Sequence, residues 1–311
     1  MIMIATSIAG IDIAKHHLDV HLLPSGKRRR FPANKLPQLV AWLQQCAVEL
    51  AVAEATGGFE VELIEACQDA GLALAVANPR HIRHFARGMG LLAKTDRLDA
   101  RVLALYGERV QPQPTAPLSA DRRRLVALLR RRRQLTAMRT AEQQRWHQER
   151  EADLKEELEQ TIAQLTARVR TLEAHITRHI RQSPELAADA QRLSSIPGIG
   201  PVLTATLLAG MPELGQASRR QVATLAGLAP HAWDTGTLRG QRRIWGGRQI
   251  VRNALYMGAV AAVRGDNAMR RRYLRLKENG KSGKAALVAV MRHMVIVANA
   301  MLRDGTNYQP V

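Results

Sequence analysis

Four carboxylates stand where their chemistry is hard to explain as packing. Asp12 lies inside the apolar run Ile8-Ala9-Gly10-Ile11-Asp12-Ile13. Strand side chains alternate between faces, so Ile11 and Ile13 point one way and Asp12 the other. A carboxylate in such a strand is costly to bury unless it is paired or bound to a cation. Glu54 ends a second apolar run, Leu50 to Ala53, and precedes the turn Thr56-Gly57-Gly58. Asp96 and Asp99, in Lys94-Thr95-Asp96-Arg97-Leu98-Asp99-Ala100, are three apart and share a helix face. Hard oxygen ligands from two strands and a helix suit Mg²⁺ or Mn²⁺. Two such ions roughly 3.5–4 Å apart can activate the attacking oxygen and stabilise the leaving one in phosphoryl transfer. The same two aspartates also suit a helix start, facing the macrodipole and pairing with Arg97 or Arg101. Singly each residue is a weak signal; the four in this order within one segment are a stronger one.

The elements that must position them read as an α/β domain over residues 1–115. Strand-like runs at 8–13, 18–23, 50–53 and 72–77 alternate with helical spacing over 37–48 and 59–70, which predicts a mixed sheet. The apolar opening Met1 to Ala5 also reads as strand, because no basic segment precedes it as in a signal peptide. The link Gln111-Pro112-Gln113-Pro114-Thr115-Ala116-Pro117 breaks the pattern. Residues 116–185 then read as long helices almost without Gly or Pro. Leu158, Ile162, Leu165, Val169, Leu172 and Ile176 fall at alternating four- and three-residue steps, which fits a coiled-coil seam or an antiparallel hairpin within one chain. Residues 186–311 read as a second, mostly helical globular region with Gly-rich turns. The fold class is therefore α/β plus α.

Composition narrows the partner. The 311 residues carry a net charge of +19, which points to a polyanion. An anionic membrane surface is the competing explanation, but aromatics are only 4% and no basic helix has a bulky aromatic apolar face. No apolar run reaches the roughly 20 residues that would span a bilayer. Cys46 and Cys67 lack metal-ligand spacing and read as reduced core thiols of a cytoplasmic protein, which with a nucleic-acid partner would be nucleoid-associated.

Gly10-Ile11-Asp12-Ile13-Ala14-Lys15, Glu54-Ala55-Thr56-Gly57, Asn78-Pro79 and Lys94 to Arg101 together resemble the DEDD-type insertion-sequence transposases. The resemblance covers nearly the whole chain, with its motifs in the family's order. It implies that Asp12, Glu54, Asp96 and Asp99 are metal ligands in a RuvC-like, RNase H-type domain. It also implies a C-terminal transposase domain whose serine, in an acidic-Ser-Gly setting, is a nucleophile. That position here is Thr235, in Asp234-Thr235-Gly236-Thr237-Leu238-Arg239-Gly240. A threonine hydroxyl can do the same chemistry, although its methyl restricts the attack path. A working nucleophile, an impaired natural copy and a deliberate slowing substitution all fit. The resemblance further implies insertion and excision of a mobile element by DNA recombination, a noncoding bridge RNA as guide, and a homo-oligomer of two or four chains.

The remaining motifs concern nucleic acid. The turn Ile196-Pro197-Gly198-Ile199-Gly200-Pro201 is a helix-hairpin-helix signature, or else a plain connector; its Gly198 and Gly200 could present backbone N–H groups to phosphate. Arg239, Arg242, Arg243 and Arg248 stand among glycines and could clamp phosphate in bidentate fashion. Arg122, Arg123 and Arg124, with Arg130, Arg131, Arg132 and Arg133 two turns on, could track a backbone. Lys281 and Lys284 mark a basic loop without the spacing of an ATPase phosphate loop. Trp146, Trp233 and Trp245 read as packing residues, Ser194 and Ser195 as helix caps, and Tyr256 as core. The rival readings are a hydrolytic RuvC-like endonuclease or resolvase, and an inactive nucleic-acid scaffold.

Overall fold

The alternating runs of the first hundred residues resolve, in the computed structural model, into one five-stranded mixed sheet. Described are residues 7–91, 96–231, 234, 235, 238, 239 and 242–309, with the side chains of 96–98, 234, 235, 238 and 239 left out. The opening apolar residues expected as strand therefore lie outside the described residues. The chain divides into two units, Met1–Pro117 and Leu118–Val311.

In the first unit β1 (Ile8–Ile13), β2 (His17–Leu23) and β3 (Arg28–Pro32) form an antiparallel meander. Helix α1 (Leu36–Gln45) follows, then β4 (Leu50–Glu54), α2 (Glu60–Asp69) and β5 (Leu74–Ala77). Strands β4 and β5 extend the sheet in parallel, giving the order β3-β2-β1-β4-β5. Helix α3 (Pro79–Gly88) begins at Asn78, whose side chain accepts from Arg80 N, and α4 (Asp96–Val110) closes the unit. Period-two alternation sorts the layers. Ala9, Ile11, Ala51 and Ala53 pack with Leu39, Leu43, Leu63 and Cys67 of α1 and α2, while Val52 and Ala77 pack with Ile82, Val102 and Leu103 of α3 and α4. Strand β3 was not expected, since three successive arginines mask its pattern; it is an edge strand, where charge is tolerated. The proline link runs beside β5, with Thr115 N donating to Leu74 O and Thr115 Oγ1 accepting from Val76 N.

The second unit opens with α5 (Ala120–Gln148) and α6 (Ala152–Gln182), two long helices joined by residues 149–151. They pack on each other as a hairpin within the chain, through Leu135, Leu165, Val169 and Leu172. The periodic seam thus has an intrachain partner. Tryptophan Trp146 donates from Nε1 to Glu159 across the hairpin. Then come α7 (Pro184–Ser194), α8 (Pro201–Gly210) and α9 (Arg219–Leu225). Two short ladders pair β6 (Pro230–His231) with β9 (Arg243–Ile244), and β7 (Asp234–Thr235) with β8 (Leu238–Arg239). Helices α10 (Gln249–Ala262), α11 (Ala268–Glu278) and α12 (Gly283–Asp304) complete the unit.

Helix α12 corrects one expectation: it is long and apolar enough to cross a membrane by length and composition. Scattered polar residues hide this in the raw sequence, but Ala286, Val290, Met291, Met294, Val295 and Ala298 are buried in the helical core. Asn299 ties it to the chain before α9, accepting from Gly215 N at 3.0 Å and donating to Ala217 O at 2.8 Å.

Candidate functional site

The register of the first sheet brings two of the four carboxylates side by side. Ile11 pairs with Ala53 across the parallel β1–β4 ladder, so Asp12 and Glu54 occupy the next step. They lie on one face, with backbones about 4.8 Å apart as in any neighbouring strands. Both are half-buried at the ends of their strands. Asp12 also pairs with Asp19 of β2, and Asp19 with Arg30 of β3. The result is a lateral row, Arg30, Asp19, Asp12 and Glu54, across four strands.

Helix α4 lies over the same face. A Cβ on Gly10 would sit 2.0 Å from Ala100 O and 2.3 Å from Ala104 N. One on Gly107 would sit 2.8 Å from side-chain atoms of Ile8 and Val52. The helix therefore runs opposite to β1: residue 107 stands over the strand's start and Ala100 over Gly10. Towards its N-terminus the helix continues past Ala100 to Asp99 and the Asp96 position, in the direction of the strand end that carries Asp12. Asp99 is half-buried there, next to buried Ala100. The side chain of Asp96 lies outside the described residues. Only a residue without Cβ permits this approach, which explains Gly10 in the run before Asp12.

The turn after Glu54 is held by Glu60. Its Oε2 accepts from Thr56 Oγ1 at 2.6 Å, Gly58 N at 2.8 Å and Thr56 N at 3.2 Å. Burial pushes the Glu60 carboxyl upward, but these hydrogen bonds outweigh it and hold it below the usual range.

Three residues of this face escaped sequence reasoning. Asp19 receives a bidentate pair from Arg30, 2.8 Å from Nε and 2.7 Å from Nη2, with His17 Nε2 at 3.4 Å. One strand step away His21 is buried, its Nδ1 accepting from Arg28 Nε at 3.1 Å. Burial, then the charges of Arg28 and Arg101, hold the His21 imidazole below its usual range, so it stays neutral. A cleft of about 450 Å³ opens along Asp19, His21, Arg28, Arg30 and Ala100. The signal lay in the alternation His17-Leu18-Asp19-Val20-His21, but only the strand register sets it beside Asp12. Among the described residues no group of three metal-capable side chains is gathered.

The second unit's predicted residues divide. Thr235 stands opposite Leu238 in the β7–β8 ladder; its side chain and that of Arg239 lie outside the described residues. Arg122 donates to Glu185 Oε1 at 2.6 Å and Leu208 O at 3.0 Å, Arg132 to Glu173 at 2.8 Å, and Arg248 to Glu213 and Gly210 O. These guanidiniums brace the helices. Arg124, Arg131, Arg133, Arg242, Arg243, Lys281 and Lys284 are exposed, and Arg123 and Arg130 half-exposed. Gly198, at φ +86°, packs against α10, where a Cβ would meet Gly258 O at 2.2 Å; Gly200 caps α8 with open space beside it. Ser194 and Ser195 close the C-terminal end of α7, bonding Gln191 O and Arg192 O. Two expectations are corrected: Tyr256 is 39% exposed, on the outer side of a helix whose buried stripe runs through Val251, Leu255 and Ala259. Trp245, just after β9, is 62% exposed, edge-on to His231 at 5.4 Å. Trp233 lies outside the described residues.

Two family profiles and several curated relatives match this chain. A DEDD-type transposase family profile matches residues 9–149, and that of the transposase IS116/IS110/IS902 family matches residues 190–274. The pilin gene-inverting protein of Moraxella bovis is 28% identical over 311 residues, 95% of each chain. An insertion element IS110 protein of Streptomyces coelicolor is 33% identical over 142 residues, 45% of this chain and 34% of its own. A T. thermophilus RuvC, solved with a Holliday junction substrate, covers 35% of this chain and 99% of its own at 17% identity and a TM-score of 0.27. The chain belongs to the IS110-type transposase family, enzymes that act on DNA.

Proposed function

We propose that this transposase cuts and rejoins DNA with a carboxylate metal site in its first unit and the Thr235 hydroxyl of its second. What supports this reading is the β1–β4 register, by which Asp12 and Glu54 follow the paired Ile11 and Ala53 on the sheet face that α4 covers. With Asp99 half-buried on that helix, these are hard oxygen donors of the kind that suits Mg²⁺ or Mn²⁺. Asp12, Glu54, Asp96 and Asp99 would hold the metal. Bound there, it would polarise phosphoryl oxygens and offset charge developing in the displacement.

The residues' own part is nucleophilic. The Thr235 oxygen attacks a DNA phosphorus and loses its proton to solvent. The bond to the leaving strand oxygen breaks, and that oxygen takes up a proton. A DNA hydroxyl later attacks the phosphothreonine, releasing the threonine hydroxyl and sealing a new strand. Exposed Arg242 and Arg243 supply phosphate contacts. The RuvC-like character of the first domain, a bridge RNA that selects donor and target, assembly as a homo-oligomer and a nucleoid location are carried by the family resemblance. The net charge of +19 supports a polyanionic partner of either kind.

The test is a covalent adduct. The protein is incubated with Mg²⁺, element-junction DNA and RNA from the flanking noncoding region, denatured, and mapped by mass spectrometry. A DNA adduct on Thr235, absent from Asp12→Ala and Thr235→Ala proteins, is the expected result. An adduct formed only by Thr235→Ser would show that threonine impairs the site. DNA cut with no adduct in either protein would replace this mechanism with hydrolysis.

A further inference from the structure

A second basic site lies in the helical unit, among residues that neither the carboxylate row nor Thr235 uses. Asn267 caps α11, its Oδ1 accepting from Met269 N and Arg270 N, and so fixes the helix's rotation. Arg271, Arg272 and Arg275 then fall at i, i+1 and i+4 and project toward one side. They line a cleft of about 850 Å³ whose opposite wall is α12, with His293, Val297 and Met301. The chain after α12 closes one end. Thr306 N donates to Met301 O there, and Tyr308 N to Ser195 Oγ at 3.1 Å.

The charge of this cleft is unbalanced. None of the three arginines forms an ion pair with a described residue. Arg272 Nε is buried with no hydrogen-bond partner among the described residues. Burial of such a donor is unfavourable unless an acceptor arrives. The one carboxylate on the wall, Asp304, is engaged by Arg303 through two hydrogen bonds. His293 adds no charge: burial, then Arg272 and Arg219, hold its imidazole below the usual range. The contrast with Arg122, Arg132 and Arg248 is direct, since each of those has an acidic partner.

We infer that the α11–α12 cleft is a phosphate-anchoring site for a nucleic-acid backbone, with Arg271, Arg272 and Arg275 as its donors. Guanidinium forks match phosphate oxygens in bidentate geometry, and the buried Nε of Arg272 gains the acceptor it lacks. The inference rests on the family's action on DNA and not on the carboxylate site. It is therefore tested in EDTA, where failure of the metal reading leaves the outcome unchanged.

The experiment is equilibrium binding of the full chain to labelled duplex DNA, the matching single strand and an RNA of equal length, each over a salt series. An Arg271→Ala/Arg272→Ala/Arg275→Ala protein is compared with one lacking three exposed cations of α6, Arg168→Ala/Arg170→Ala/Arg178→Ala. Removing the cleft arginines should weaken binding to at least one nucleic acid by tenfold or more and reduce its salt slope by about 2–3, roughly one per lost phosphate contact. The control should lose much less. Which nucleic acid responds identifies the occupant. Arg272→Lys alone should bind more weakly than the parent while melting at the same temperature, because lysine keeps the charge but loses the fork. Equal losses in the two triple variants, or an unchanged salt slope in the cleft variant, would overturn the proposal.

Discussion

Single side chains carry opposite duties in the two units. In the first, Asp12 and Glu54 were legible as candidates because a carboxylate among β-branched and small apolar residues is costly to bury unless it is paired or bound to a cation. Asp19 was not, because its neighbour Asp12 and its partner Arg30 are set by strand register rather than by spacing. In the second unit, Asn299 illustrates a purely structural polar residue, 1% exposed and bonded to Gly215 N and Ala217 O. Asn299→Leu should lower stability by about 1–3 kcal/mol for the buried backbone groups it strands, as measured by urea denaturation. Glu213 gives a pH signature. Burial raises its carboxyl, but the hydrogen bond and charge of Arg248 outweigh that and leave it lowered in the folded chain. Its stabilisation is thus present above the ordinary carboxylate range and is lost as pH falls through the folded value. Thermal melts of Glu213→Gln should fall below the parent at neutral pH and converge with it in acid. The two cysteines should differ: burial pushes the Cys67 thiol up to about 12, whereas Cys46 is half-buried. One thiol per native chain should react with a disulfide reagent at neutral pH, and two after denaturation; rapid reaction of both in the native protein would contradict this packing.

Elements were read with uneven success, for identifiable reasons. Strands with alternating or continuous apolar runs were found within a residue or two. Strand β3 was hidden by Arg28, Arg29 and Arg30, which an edge tolerates and a central strand does not. The heptad-like spacing of α6 left its partner open, since a seam shows that a helix packs and not on what. Helix α4 is placed by absences: Gly10 and Gly107 remove the Cβ atoms that would hold it off the sheet. Gly10→Ala should therefore displace α4, costing about 1–3 kcal/mol or more, and should abolish metal-dependent cleavage even in protein that still folds. Gly107→Ala, which meets only side-chain methyl carbons at its nearest contacts, should retain more of both. Circular dichroism melts and a DNA-nicking assay on the same preparations would check the pair.

For the whole molecule, the net charge suits a polyanionic partner and family membership points to DNA, and the proposed mechanism divides the labour between the units, with the metal site in the first and the nucleophile in the second. The net charge of +19 does not itself choose a site, because several arginines are spent on internal ion pairs. What the sequence could not show is which cations remain free once the helices pack; that is a property of tertiary structure. The most direct test of the claim is to ask where a divalent ion sits. Fe²⁺ substituted for Mg²⁺, with ascorbate and peroxide, cleaves backbone close to its binding site, and the fragments can be mapped by mass spectrometry. Cuts clustered around residues 12, 54 and 96–99, suppressed by excess Mg²⁺ and lost in Asp12→Asn/Glu54→Gln protein, are the predicted result. In the same variant DNA cleavage should fall on the order of 10³-fold, the size expected when several kcal/mol of charge stabilisation is removed. Cuts clustered elsewhere, or an unaltered pattern in that variant, would contradict the assignment of the first unit as the metal centre.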